Sequence, residues 1–495
     1  MNKIGFDNDK YLEMQSKHIR ERIATFGGKL YLEFGGKLFD DFHASRVLPG
    51  FKPDSKLQML LQLKDDAEIV IAINAADIEK NKVRGDLGIT YDLDVIRLID
   101  AFRSVGLYVG SVVLTRYAEQ GAAVQFSRKL ESLGIKVYHH YSIEGYPYNV
   151  EKIVSDDGYG KNEYIETSRQ LVIVTAPGPG SGKMATCLSQ LYHENKHGIK
   201  SGYAKFETVP IWNIPLKHPV NMAYEAATAD LNDINMIDPF HLEAYGETAV
   251  NYNRDVEIFP VVDAMFKKIF GSSPYKSPTD MGVNMVGNCI IDDDAVKEAS
   301  AQEIIRRYFA ALCDQRDGRV KAGVIEKIEV LMNQAKISAD DRKTVKAAIN
   351  RSIETNDQPA VAIELADGRI VTGKTSKLLG AASAALLNAV KVLADFPKET
   401  TMIAPETIEP IQQLKTKILG NHNPRLHSDE ALIALSISAS TDEVAAKAME
   451  QLDALKGCQA HSTVILSQVD YDVYRKLGID ITCEPQYNTK KLYHR

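Results

Sequence analysis

Cysteine and tryptophan are scarce in this sequence, with five and one among 495 residues. Cys187, Cys289, Cys313, Cys458 and Cys483 lie far apart, with no Cys-x-x-Cys pair. That pattern reads as reduced thiols of a cytosolic protein, and it argues against a disulfide framework or a structural zinc site. No run of about 18 apolar residues is present, so no membrane-spanning helix is expected. The nearest approach, AASAALLNAVKVLA (381–394), is interrupted by Asn388 and Lys391 and reads as a helix packed in a core. The opening MNKIGFDNDKYLEMQSKHIRERI lacks the apolar stretch of a signal peptide, and a cytoplasmic location is expected. Positive charge is not in excess either. A net charge of −7 argues against a general nucleic-acid binder, which needs a basic surface to displace phosphate counterions. The expected partner is a phosphorylated small molecule, with neither nucleic acid nor membrane, and the chain is a candidate homo-oligomer.

What is present is a rhythm. EIVIAIN (68–74), LYVGSVVLT (107–115), IKVYHHY (135–141), LVIVTA (171–176) and GYAKFETV (202–209) are short apolar runs, with helix-period segments at 92–106, 121–134 and 183–197 between them. Such alternation predicts an α/β fold with a parallel sheet covered on both faces. Ligands in such sheets sit at the carboxyl ends of the strands. Asn74 to Asp77, Thr115-Arg116 and the 176–183 loop would then share one rim. Upstream, FGGKL occurs at both 26–30 and 34–38, and predicts a hairpin around Gly35-Gly36. The pattern is irregular over 212–290, helical over 292–355 and α/β again afterwards. The expected organisation is a multidomain chain: an α/β domain over 1–290, a helical segment over 291–356 and a C-terminal α/β domain over 357–495.

Two stretches have the spelling of a phosphate loop. Gly368 to Thr375 matches G-x-x-x-x-G-K-[ST], but its interior Arg-Ile-Val-Thr favours extended strand and resists the positive φ of an anion nest. It reads as a hairpin. Pro177-Gly178-Pro179-Gly180-Ser181-Gly182-Lys183-Met184 is misspelt at both ends, yet it has a strand before it and a helix after it. Gly178, Gly180, Ser181, Gly182 and Lys183 are therefore the expected phosphate-binding residues, and ATP is the candidate ligand. Met184 stands where a Mg²⁺-binding hydroxyl belongs, so Mg²⁺ dependence is doubtful, and Thr186 lies two residues late.

The helix that follows carries His193-Glu194-x-x-His197, the spacing of zinc peptidases. Met184, Cys187, Leu188 and Leu191 form its apolar stripe, which places both histidines on the opposite, solvent side. Glu225 is the only downstream carboxylate to nominate as a third ligand. His193 also lies ten residues beyond Lys183, about 15 Å of helix rise, too far to share one reaction centre. The zinc peptidase is the disfavoured alternative and no zinc is expected.

Other candidates are loop residues. DDFHASRVLPGF (40–51) gathers Asp40, Asp41, His43, Ser45 and Arg46, while NAADIEKNKVRGD (74–86) offers Asp77, Lys80 and Arg84 to clamp an anionic substrate. Asp238 is a weaker, metal-holding candidate. DDFHASRVLPGF, LVIVTAPGPGSGK and the order of segments resemble an uncharacterised bacterial family classed as a domain of unknown function. Some of its members are labelled ATP-dependent peptidases or zinc proteases. The resemblance spans the chain and implies a multidomain cytosolic α/β protein. The C-terminal region is also loosely similar to the cytidine-deaminase-like fold, without the His-x-Glu and Pro-Cys-x-x-Cys that its zinc chemistry needs. The functional expectation is binding of a nucleotide or phosphorylated small molecule. As an enzyme it would transfer a phosphoryl group from ATP to an anionic metabolite, with Lys183, His43 and Arg46 as catalytic candidates. The alternative is a non-catalytic ligand-binding protein.

Overall fold

The computed structural model describes residues 3–39, 41–84 and 87–488. The chain divides into two compact units, one of Ile4–Glu225 with Asp233–Ala299, the other of Ala226–Asn232 with Ser300 onward.

The first unit opens with α1 (Asn8–Thr25), capped by Asp7, whose carboxylate accepts the Lys10 N–H at 3.0 Å. Then come β1 (Leu30–Phe34), α2 (Phe42–Val47), α3 (Ser55–Leu61), β2 (Ala67–Asn74), α4 (Ala75–Glu79), α5 (Tyr91–Ser104), β3 (Tyr108–Tyr117), α6 (Gly121–Ser132) and β4 (Lys136–Tyr141). After α7 (Val150–Ile153) follow β5 (Leu171–Thr175), α8 (Lys183–Lys196) and β6 (Gly202–Phe206). The six strands form one sheet, ordered β4-β3-β2-β5-β1-β6, with every pair parallel. β1, β2 and β5 are buried at every residue, which is why they read as unbroken apolar runs and not as alternation.

The strand order reverses at β2 and β5. From β2 the chain steps outward to β3 and β4. From β5 it crosses over β1 to β6 by way of α8. Crevices at such a reversal are where ligands of open α/β sheets bind. Tyr31, Val70, Ala72, Val113, Val174 and Tyr203 share one core with Cys187, Leu188 and Leu191 of α8. Residues two places further along each strand therefore reach the carboxyl edge on the same, α8-covered face.

The hairpin expected around Gly35-Gly36 is not formed. The first FGGKL ends α1, and β1 lies between β5 and β6 as a parallel strand. Gly35 and Gly36 are needed for a different reason. A Cβ on Gly35 would stand 2.7 Å from Glu207 Cγ, and one on Gly36, at φ +73, would stand 2.8 Å from Lys56 Nζ. The 212–290 stretch is more ordered than its composition suggests. It holds α9 (Pro219–Ala227), β7 (Asn235–Ile237), α10 (Pro239–Tyr245), β8 (Val250–Tyr252), α11 (Asn253–Phe270) and α12 (Pro278–Met281).

In the second unit, α13 (Asp293–Arg316, which begins in the first unit), α14 (Ala322–Ala335) and α15 (Lys343–Glu354) precede β9 (Ala360–Glu364) and β10 (Ile370–Lys374). The strict phosphate-loop spelling at 368–375 lies in the antiparallel β9–β10 hairpin, with Gly373 paired to Val361. α16 (Ala381–Leu393), α17 (Pro405–Gln413), α18 (Ser428–Ala439), α19 (Glu443–Met449), β11 (Gln459–Ser462), α20 (Gln468–Lys476) and β12 (Asp480–Cys483) complete the unit. Its sheet runs β10-β9-β11-β12, with β11 and β12 parallel. Among the described residues no helix is long and apolar enough to cross a membrane.

Candidate functional site

The turn between β5 and α8 is held by its carbonyls. Asn74 Nδ2 reaches the Gly180 carbonyl at 3.4 Å, Thr115 Oγ1 donates to Ser181 O at 2.8 Å, and Thr186 donates its N–H and its hydroxyl to Gly182 O at 2.9 and 3.0 Å. Among the described residues, the N–H groups of Gly180, Ser181 and Gly182 donate no hydrogen bond. Gly180 at φ +77 and Gly182 at φ +87 flank Ser181, and positive φ of this kind is what a concave run of backbone amides requires. Gly178 packs against Tyr91, whose hydroxyl would lie 2.3 Å from an added Cβ. The Ser181 hydroxyl donates to Gly178 O at 2.8 Å and so braces the turn. Lys183 is the first residue of α8 and makes no ion pair with a described residue.

Next to the turn lies a second set of polar groups, of which the sequence carries only a faint signal. Glu33 of β1 is the register partner of Val174 in β5 and of Lys205 in β6. The three side chains form a row on the α8 face at the carboxyl edge. Glu33 Oε2 accepts the Tyr203 hydroxyl at 2.6 Å. Lys205 Nζ lies 2.7 and 2.5 Å from the two Asp255 oxygens, 3.3 Å from Glu207 Oε1, and also meets the Tyr252 hydroxyl. The Tyr252 hydroxyl is itself 3.0 Å from Glu207 Oε1. Burial first, then Asp255 and Glu33, push the Glu207 carboxyl above its ordinary value against the pull of Lys205. Lys205 goes up despite its burial, because Asp255, Glu207 and Glu33 surround the ammonium. The signal available in the sequence was a charged residue inside an apolar run, LYLEF and GYAKFE, since a buried charge is the informative exception in a core strand.

The two sets are neighbours. The Cys187 thiol, one turn along α8 from Lys183, is pushed up by burial and by Glu33, while Lys183 pulls it down. The Tyr146 hydroxyl is likewise pushed up to about 12 by burial and by Glu33, with Arg116 opposing. Arg116, exposed at the end of β3, has φ +51, an uncommon conformation for a non-glycine residue and one that clusters at binding sites.

The remaining candidates are placed as follows. Asp40 lies outside the described residues, as do Gly85 and Asp86. The stretch after it is not a loop: Asp41 caps α2 at Ala44 N–H. Asp41 is buried 2.7 Å from Lys56, and although burial opposes ionisation, the Lys56 ammonium holds its carboxyl below the ordinary value. His43 sits edge-on to Tyr224, ring centroids 6.4 Å apart, and Tyr224 is 6.5 Å from Tyr252, so His43 connects through two rings to the Glu207 network. Arg46 lies over the Phe42 ring at 5.9 Å. Arg84 is bound to the fully buried Asp94 at 2.8 Å, which Arg97 also holds at 2.7 Å, and Asp77 faces Lys82 at 3.2 Å. These are local ion pairs. Asp238 is buried, accepts the Phe240 and His241 N–H groups and the Thr279 hydroxyl, and thus serves as the cap of α10.

The residues of the zinc motif face different surroundings. His197 is exposed, but His193 is half-buried between Tyr164 and Tyr192 and not on the solvent side. Burial lowers its basicity. Glu194 turns the other way into the core, where it accepts the Tyr31 hydroxyl at 2.5 Å and pairs with Lys29. Glu225 accepts the Asn235 N–H at 3.1 Å. No group of His, Cys, Asp and Glu among the described residues is arranged to hold a metal.

Two family models match the chain: the domain of unknown function DUF1846, N-terminal, over residues 4–336, and its C-terminal counterpart over 340–493. The UPF0371 proteins of Streptococcus pyogenes serotype M5 and of Streptococcus thermophilus are each 58% identical over 495 residues, covering all of both chains. That of Streptococcus sanguinis is 59% identical over the same span. A solved structure of the Aeropyrum pernix ORC2 protein in its ADP form overlaps 87% of this chain and 84% of its own, at 10% identity and a TM-score of 0.16. Similarity that slight carries no argument.

Proposed function

The chain belongs to the DUF1846 family, and we propose that it binds a nucleotide or phosphorylated small molecule, its phosphate seated on the 177–184 turn. One observation carries this reading. The carbonyls of Gly180, Ser181 and Gly182 are all engaged by neighbours, while the N–H groups of the same residues donate to no described residue. Donors without described partners at a helix N-terminus, beside a lysine that pairs with no described residue, suit an anion.

In its enzymatic form the proposal is an ATP-dependent phosphoryl transfer to an anionic metabolite, with Lys183 stabilising charge on the moving group. His43, linked to Glu207 through Tyr224 and Tyr252, is closer to such a role than Arg46. A second form is a ligand-binding protein that holds phosphate without Mg²⁺. The specific support for it is that both turn hydroxyls, Ser181 and Thr186, are spent on turn carbonyls, with Met184 at the position between Lys183 and the buried Thr186. In the second unit, the order β10-β9-β11-β12 with α16 after the hairpin supports a loosely cytidine-deaminase-like reading, and Leu379 to Ser383 supply no zinc ligands for its chemistry.

The test is calorimetric titration of ATP, with and without Mg²⁺, into the wild type and Lys183→Ala. Binding that the variant loses supports the phosphate site. Equal heats in both proteins would remove it.

A further inference from the structure

The floor of the crevice has the opposite polarity to the turn, and it points to the other end of the ligand. Glu207, one residue beyond β6, has Oε1 held at 3.0 Å by Tyr252 and 3.3 Å from Lys205. Its Oε2 is neither enclosed nor hydrogen-bonded to a described residue, and the side chain is 27% exposed. Glu33, only 8% exposed, has Oε2 taken by Tyr203, while its Oε1 has no hydrogen-bond partner among the described residues. Each carboxylate is thus anchored by one oxygen, and no described residue engages the other.

A carboxylate oxygen can only accept, so whatever meets these two must bring donors. The turn asks for the reverse, an acceptor-rich anion. Val174, Glu33 and Lys205 lie in one register row, so Glu33 stands one strand spacing, about 5 Å, from the strand that leads into the turn, and the Lys205–Glu207 edge two spacings, about 10 Å. That span suits one phosphate and one small ring. We propose that the crevice binds a phosphorylated monosaccharide, phosphate on the 178–183 turn, with its hydroxyl or amino donors read by Glu207 and Glu33. This rests on the phosphate reading above and specifies what the phosphate is attached to. Three carboxylates, Glu33, Glu207 and Asp255, face the single ammonium of Lys205. Excess negative charge favours a donor-bearing ligand, and an ammonium over a neutral hydroxyl.

The experiment is calorimetric titration of inorganic phosphate, glucose 6-phosphate and glucosamine 6-phosphate into wild type, Lys183→Ala and Glu207→Gln. The expected result is that a sugar phosphate binds wild type at least tenfold more tightly than inorganic phosphate. Glu207→Gln should lose that advantage and keep wild-type affinity for inorganic phosphate, which also shows that it is folded. Of the two sugars, glucosamine 6-phosphate should bind the more tightly, and glucose 6-phosphate binding as tightly or more so would overturn the preference for an ammonium. Sugar phosphates binding no better than phosphate, or equally to Glu207→Gln, overturn the inference and leave the phosphate site standing. Phosphate binding unaffected by Lys183→Ala, or absent altogether, removes the phosphate site itself.

Discussion

Glu33 and Lys205 occupy opposed positions on neighbouring parallel strands, yet they do not pair with each other: Glu33 is held by Tyr203, and Lys205 by Asp255. The sheet register brings a carboxylate and an ammonium side by side at the carboxyl edge, and helix α11, which supplies Asp255, draws the ammonium away. Glu33 is thereby left with an oxygen that no described residue engages, next to the helix that starts at Lys183.

Removing Lys205 alone should be costly. Lys205→Met strands the buried Asp255 and leaves Glu207 facing carboxylates without a counter-charge. The expected loss is about 3–5 kcal/mol. Lys205→Met with Asp255→Leu should be less destabilised than the sum of the single changes, because the two residues act as a unit. Urea unfolding midpoints of the four proteins give the coupling, and simple additivity would show that the network does not hold this edge together.

Lys183→Ala should behave oppositely. Lys183 has no ion pair with a described residue, so the unfolding midpoint should stay within about 0.5 kcal/mol of wild type while ligand heats disappear. A large loss of stability would mark Lys183 as structural.

Acid should destabilise the first unit through His140. Its ring is buried, with Nε2 3.1 Å from the Glu163 carbonyl, and burial lowers its pKa to about 3. The unfolded chain takes up this proton below about 6.5, whereas the folded chain does so only near 3. Stability is therefore full above pH 6.5 and falls as pH drops toward 3. Between pH 6.5 and 5 this one group accounts for about 2 kcal/mol. His140→Gln should flatten the urea midpoint against pH in that window, and an unchanged slope would assign the acid sensitivity to other groups.

Glu194→Gln tests the zinc motif directly. Because Glu194 is buried against Tyr31 and Lys29 at the far end of α8, the substitution should lower stability by about 1–3 kcal/mol through the weakened charged pair. Ligand binding at the turn should not change. Zinc that copurifies with the wild type in stoichiometric amount and is lost in His193→Ala would revive the peptidase reading.

Much of the first sheet is legible because its strands are short runs alternating with helix-period segments, and β2 and β5, buried at every residue, are almost wholly apolar. β1 was misread since FGGKL on each side of it resembles hairpin punctuation. The glycines instead let Glu207 and Lys56 approach the backbone, and nothing local signals a contact with a residue about 170 positions away. In the second unit, the apolar residues of α18 surround it without a single stripe, so no helical face is legible there. The turn at 177–184 was readable from glycine, lysine and flanking pattern. The Arg84 clamp was not, since a charged side chain looks available until the fold supplies Asp94.

By itself the sequence determined the alternation of strands and helices, the place of the glycine-rich turn and the rejection of the better-spelt phosphate loop, all consequences of local conformational preference and burial period. Only the tertiary structure decided which polar residues gather at the carboxyl edge of the sheet. Glu33, Lys205, Glu207, Tyr252 and Asp255 come from three separate segments, and strand register together with helix packing, both long-range properties, bring them to one edge.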